Sequence, residues 1–204
     1  MKRMTSWLTL IVAVALSVSV SGCLEDKVLD LILFSEAGAE FAQNSESINW
    51  TNTATVELGT QIDDALLEND LTRGDIKGAT IMGVSYGATS FSQAHDWVIG
   101  GTIEVERLDV PSAAVTLLTY TDQSVQAALG QKIPAALTDA GVGLLQAALD
   151  EFLAGTADPM LRFTVNNGSV SPIPDQSDPI IFDWVAWLAI QITVSEEIEV
   201  LDPF

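Results

Sequence analysis

The sequence predicts a mainly β protein: an antiparallel β-sandwich with one substantial amphipathic helix, about residues 135–153, packed on it. Two observations predict it. After Trp50, short stretches in which apolar and polar residues alternate recur between turns rich in Gly, Pro and Asn. One stretch alone, rich in Ala, Leu and Gln, keeps a spacing of three and four instead. Strands and helices alternate too sparsely for a doubly wound parallel sheet.

Thr53-Ala54-Thr55-Val56-Glu57-Leu58 opens the series, with Ala54, Val56 and Leu58 on one sheet face. A short helix is expected over 61–70, with Thr60 as N-cap and Asp63 and Asp64 in the first turn, where the helix dipole favours acid. The next strand runs from Ile76 to Thr89, and Gly78, Gly83 and Gly87 predict bulges or bends in it. Trp97 to Leu108 follows, with Trp97, Ile99, Ile103 and Val105 opposite Thr102, Glu104 and Glu106. Ala113 to Tyr120 is the third of this group. A short helix over Ser124 to Leu129 is divided by Pro134 from the main one. The main helix carries Leu137, Ala140, Leu144, Ala148 and Phe152, a stripe widened by Leu145, Leu149 and Leu153, and Gly155 closes it.

Beyond Pro159, Leu161, Phe163 and Val165 alternate with Arg162 and Thr164, and Asn167-Gly168 predicts a turn. Residues 172–179 read as a loop. The strongest strand runs from Ile180 to Val194. Its even positions, Ile180 to Val194, are all apolar, while Ile181, Asp183, Val185, Trp187, Ala189, Gln191 and Thr193 make a mixed face. Glu196 to Leu201 is expected as a final edge strand.

The first residues have a different logic. Lys2 and Arg3 precede an apolar run of about ten residues, too short to span the bilayer as a permanent helix. Val20-Ser21-Gly22-Cys23 then resembles the lipobox of bacterial lipoproteins. The resemblance implies cleavage before Cys23 and a diacylglyceryl group on its sulfur; each buried methylene is worth ~0.8 kcal/mol, and two or more chains anchor stably. Cys23 is the single cysteine of the chain, so an exported fold must rely on its core rather than on a disulfide. The expected organisation is a signal peptide over 1–22, a lipidated N-terminus and tether over 23–49, and one β-rich domain over 50–204. Glu25 and Asp26 just behind the cysteine resemble the surface-export signal of Bacteroidetes lipoproteins, which points to the outer membrane with neither leaflet singled out. The stretch 53–82 is faintly similar to uncharacterised secreted β-sandwich lipoproteins of the same type, and that similarity implies no activity.

Charge excludes one class of partner. The chain has 8 basic and 28 acidic residues, and loss of Lys2 and Arg3 would leave 6 against 28, or −22. Such a field repels nucleic acid and anionic lipid. Apolar content of 48 % excludes general disorder.

Chemistry is thin. Gly83-Val84-Ser85-Tyr86-Gly87 spells G-x-S-x-G, but it lies inside a strand-like run with no helix after it, where a nucleophile elbow needs one. His95, the single histidine, follows within ten residues and is the only base a Ser85 hydrolase would have. One histidine and one lipidated cysteine make no zinc site. No cofactor is expected. Calcium is the one ion with candidate ligands: Asp63, Asp64, Glu68, Asn69 and Asp70, or Asp175 and Asp178, neither at EF-hand spacing. Trp187 is the candidate binding residue, on the mixed face; it stacks there on a sugar or a partner, or lies under the 135–153 helix. Three functions compete: a non-catalytic envelope module holding the membrane through Cys23 and binding a protein or glycan, a carrier of an apolar ligand between sheet and helix, and the Ser85–His95 hydrolase.

Overall fold

The computed structural model describes residues 27–198. It is a sandwich of two antiparallel four-stranded sheets. In chain order the strands are β1 (Lys27–Ser45), β2 (Trp50–Glu57), β3 (Ile76–Phe91), β4 (Val98–Arg107), β5 (Val115–Ser124), β6 (Ile133–Ala135), β7 (Met160–Ser171) and β8 (Ile180–Ile198). The helices are α1 (Leu58–Leu67), α2 (Val125–Ala128) and α3 (Asp139–Leu153). One sheet runs β1-β8-β3-β6 and the other β2-β7-β4-β5.

The period-two pattern of β8 explains why it lies inside its sheet. Phe182, Trp184, Ala186, Leu188, Ile190, Ile192 and Val194 are all buried against the second sheet. Trp184 packs on Phe41 at 5.0 Å between ring centres and edge-on to Tyr120 at 6.0 Å, and Phe182 meets Trp50 at 6.2 Å. The second sheet answers with Ile99, Ile103, Val105, Leu117, Leu118, Leu161, Phe163 and Val165, also buried. The ladder of β3 shifts register between Ile76 and Gly78, Ile81 and Gly83, and Ala88 and Ser90, so the first two expected bulges lie beside their glycines.

Several expectations are corrected. The tether over 23–49 is a strand from Lys27 onward, paired residue for residue with β8 as far as Ser45. The domain therefore begins well before Trp50. The strand pattern of β1 is hidden because its inward positions include Ser35, Ala37, Ala39 and Gln43, which read as linker. Ser35, Ala37 and Ala39 are small because they lie beside the bulky row of β8: Ser35 opposes Ile190 and Ala37 opposes Leu188. Helix α1 starts at Leu58, after Glu57, and not at Thr60; its first turn holds no acid. Leu58, Ile62 and Leu66, four residues apart, form its buried side.

The main helix begins at Asp139 rather than 135. Thr138 caps it by accepting a hydrogen bond from Gly141 N at 3.0 Å, while Ile133–Ala135 joins the edge of β3. Its buried side is Gly141, Leu145, Ala148, Leu149 and Phe152; Ala140 is exposed. It packs on β3, β5 and β4, closing the side of the sandwich rather than covering β8. The short helix α2 forms as expected, with Ser124 accepting from Ala127 N. Asn167-Gly168 makes no turn. Strand β7 runs through it, because a register shift at Gly100 and Gly101 absorbs the bend and Asn167 turns inward, donating to Ile48 O at 2.8 Å. The final edge strand is instead the continuation of β8 to Ile198.

One buried cation ties the layers together. Arg107 is 6 % exposed and donates to Asp109 and, at 2.8 Å, to Glu151 of α3. Those hydrogen bonds hold both carboxyls below their usual range. A carboxylate whose folded pKa is depressed stabilises the fold above its unfolded pKa, and that contribution fades as pH falls through the folded value. Arg107→Met is therefore expected to lower the urea midpoint at pH 7 and to close much of that gap as the carboxylates protonate below about pH 4. Urea titrations at pH 7 and pH 3 measure it; an equal gap at both would refute the assignment.

Among the described residues no helix is long and apolar enough to cross a membrane.

Candidate binding face around Trp187

The outward face of the β1-β8-β3 sheet follows from register alone, since directly opposed residues share a face. Three rows define its centre. Glu36, Ala189 and Gly83 form one, Gly38, Trp187 and Ser85 the next, and Glu40, Val185 and Gly87 the third. One large aromatic thus sits among glycines and small side chains. A Cβ on Gly38 would lie 3.8 Å from Trp187 Cδ1, and one on Gly87 3.3 Å from Trp187 Cζ3. The indole therefore spans the sheet from β1 to β3, and the missing side chains on both sides leave room for it. The ring is half-buried.

A loop reaches over this face from the β3 edge. After α2, Gly130 donates to Ala88 O at 2.9 Å and turns the chain with a φ of 69°, a region that glycine enters without cost. Gln131 O then passes directly over Gly87, where any Cβ would collide with it. Lys132 follows, and Ile133–Ala135 returns to pair with Tyr86–Val84. The Lys132 ammonium lies 5.1 Å from the Trp187 ring centre, within cation–π range, and is ion-paired with Glu36 of β1. The lysine comes from the loop before β6, the indole from β8 and the carboxylate from β1; Lys132 is 45 % exposed and Glu36 33 %.

Trp187 is the one candidate residue that the fold places in a built setting. It lies on the mixed face, as its parity predicts, but the cover is the Lys132 loop and not the main helix. Glu36, Gly38, Gly87 and Lys132 escape sequence reasoning. Glu36 sits in the stretch read as tether, and Lys132 is 96 residues from its partner with no pattern to announce it.

The other candidates are dispersed. Ser85 pairs with Trp187 and Pro134 in mid-sheet, six residues before Phe91 ends β3, which is about 20 Å of strand. His95 lies beyond that end, its ring 4.6 Å from Trp97 and its Nε2 3.4 Å from Asp178 Oδ2. The hydrolase pair is not brought together. Of the acidic candidates, Asp63 is engaged by Arg73, whose Nε and Nη2 donate to it at 2.6 and 2.5 Å. Asp64, Glu68 and Asp70 are exposed on or after α1. Asp175 accepts from Ser177 N at 2.7 Å and closes its own turn. Among the described residues no three His, Cys, Asp or Glu side chains are grouped to hold a metal ion. Cys23 and the leader lie outside the described residues.

Among the described residues, the space between sheet and main helix holds packed side chains. Leu145, Leu149 and Phe152 are buried under α3. A cavity between the sheets, lined by Tyr86, Tyr120, Phe182 and Trp184, measures about 10 Å³. That is room for one water, against the ~300 Å³ at which ligand pockets begin. Burial raises the pKa of both tyrosine hydroxyls, which stay protonated.

No family model, no curated protein and no solved structure matches this chain.

Proposed function

We propose that the protein is a lipid-anchored envelope module that binds a partner, without catalysis, through the face centred on Trp187. The observation that carries the reading is the flat indole framed by Gly38 and Gly87 and flanked by carboxylates. An aromatic ring left half-exposed on a sheet surface is a contact surface, because it offers large apolar area at little conformational cost. The anchor reading rests on the lipobox-like residues before Cys23. Lys27, where β1 starts, is four residues past Cys23, so at most about 14 Å of chain separates sulfur and strand. Gly38 lies eleven residues farther along β1, so the Trp187 row stands about 36 Å up the strand from that start.

Two measurements test the reading. Cys23→Ala is expected to move the protein from the membrane pellet to the soluble or unprocessed fraction, and the mass of the native N-terminus should show acyl chains on residue 23. A variant that stays in the pellet with an unmodified wild-type thiol sinks the anchor. For the face, a photo-crosslinking residue at exposed Ala42, on the same face of β1, is expected to capture an envelope partner, whereas one at exposed Thr55 on the other sheet captures none. Equal labelling at both sites, or none at 42, sinks the binding role.

A further inference from the structure

From the way Lys132 is seated, we infer that the Trp187 face recognises a lysine- or arginine-bearing segment of a partner protein, and that Lys132 is a built-in occupant which such a segment displaces. The inference rests on the binding role proposed above and names the class of partner.

Three observations carry it. First, a cation already occupies the site. The Lys132 ammonium sits over the indole at 5.1 Å and against the Glu36 carboxylate, so the face has both elements that hold an ammonium or guanidinium: a π surface and a fixed negative charge. Second, the charge around it exceeds what Lys132 neutralises. Glu40 lies on the same face in the next row but one from Glu36, and it is exposed. Asp183, one further row along β8, is exposed as well and accepts from Ser90 Oγ at 2.7 Å. With one lysine against three carboxylates, the strip Glu36–Glu40–Asp183 has charge to spare for a second cation. Third, the occupant is loosely held. Lys132 is 45 % exposed and arrives on a loop whose turn depends on Gly130, so an exposed ion pair of this kind contributes little to stability and is exchangeable. The whole chain adds long-range attraction, with 28 acidic residues against 8 basic ones.

Binding of a basic segment would then be an exchange. The incoming ammonium or guanidinium takes the position over Trp187, Lys132 swings into solvent, and Glu36 changes partner. No bond is made or broken.

The test uses the full chain, purified from membranes in neutral detergent, titrated by calorimetry with a synthetic tetralysine peptide, a tetraglutamate peptide and a neutral hexasaccharide. The tetralysine peptide is expected to bind and to weaken with salt. Trp187→Leu, which keeps apolar bulk but removes the π face, should weaken it at least tenfold with no change in net charge. Lys132→Ala should tighten it three- to tenfold, whereas Lys77→Ala, which removes an equal charge from an exposed position on the neighbouring strand, should change it less than twofold. General attraction to an acidic surface would survive Trp187→Leu and would treat Lys132 and Lys77 alike; either result overturns the inference. Trp187-dependent binding of the saccharide alone would overturn it too while leaving the binding role standing. Absence of any Trp187-dependent binding, with no crosslink at residue 42, would remove both.

Discussion

Trp97→Ala is expected to destabilise the domain by about 3–5 kcal/mol, the range for removing a fully buried large aromatic. Trp97 is 0 % exposed. It enters the core at the junction of the β3–β4 loop with β4, where three segments meet. Its Nε1 donates to Gln93 Oε1 at 2.6 Å, and the same oxygen accepts from Ile181 N at 2.9 Å. Gln93 Nε2 in turn donates to Pro179 O at 2.6 Å. The His95 ring covers one side of the indole at 4.6 Å. Alanine would therefore open a cavity and release one arm of the hydrogen-bonded clasp that joins the start of β4 to the start of β8. A close-packed interior relaxes only partly into such a hole. Urea unfolding followed by circular dichroism gives the number, with Trp187→Ala as the comparison. Trp187 is only half-buried and should cost clearly less. A Trp97→Ala penalty under about 1 kcal/mol would show that this indole is not the core residue described.

Gly87→Ala is the second large effect, and it acts on the binding face. The new methyl would stand 3.0 Å from the carbonyl carbon of Gln131, closer still to its oxygen, and 3.3 Å from Trp187. The obstacle is backbone, so no rotamer change relieves it. The 129–132 loop has to lift, and it carries Lys132 with it. The expected cost is about 1–3 kcal/mol from overpacking, with the Trp187 ring more exposed. Gly83→Ala, on the same face of the same strand with nothing within 4 Å of its Cβ, controls for the loss of glycine flexibility and should be nearly neutral. The part of the fluorescence that Trp187→Phe removes, taken as a difference spectrum, would report the uncovering as a red shift. An unshifted spectrum with unchanged stability would mean that the loop does not rest on Gly87. Gly87→Ala should also bind the tetralysine peptide more tightly, since the resident lysine leaves.

Local patterns carried much of the fold into view. The eight apolar even positions of β8 could face nothing but a second layer, and that layer supplies Trp50 and Tyr120, from strands far away in sequence. The three-and-four spacing of Leu145, Leu149 and Phe152 gave α3 its buried side, and Ser124 marked α2. Failures came where a strand's inward positions are small or polar. Ser35, Ala37 and Ala39 carry no hydrophobic signal, yet they fill the narrow gap that Leu188 and Ile190 leave. Asn167-Gly168 has the letters of a turn, but its amide finds partners inside the sandwich at Ile48 and Ser169, so extended backbone costs it nothing.

By itself, the sequence determined the class of fold, the parity that sends Trp184 inward and Trp187 outward, and the strongly acidic balance of the chain. All of these follow from short-range periodicity or from composition, which need no knowledge of which strand lies beside which. Tertiary structure decided that Glu36 and Lys132 meet over one indole, that Ser85 and His95 do not meet, and that the helix closes the side of the sandwich and leaves the Trp187 face to a loop. Each of these depends on strand order and register across about a hundred residues, and no local pattern encodes the pairing of distant strands.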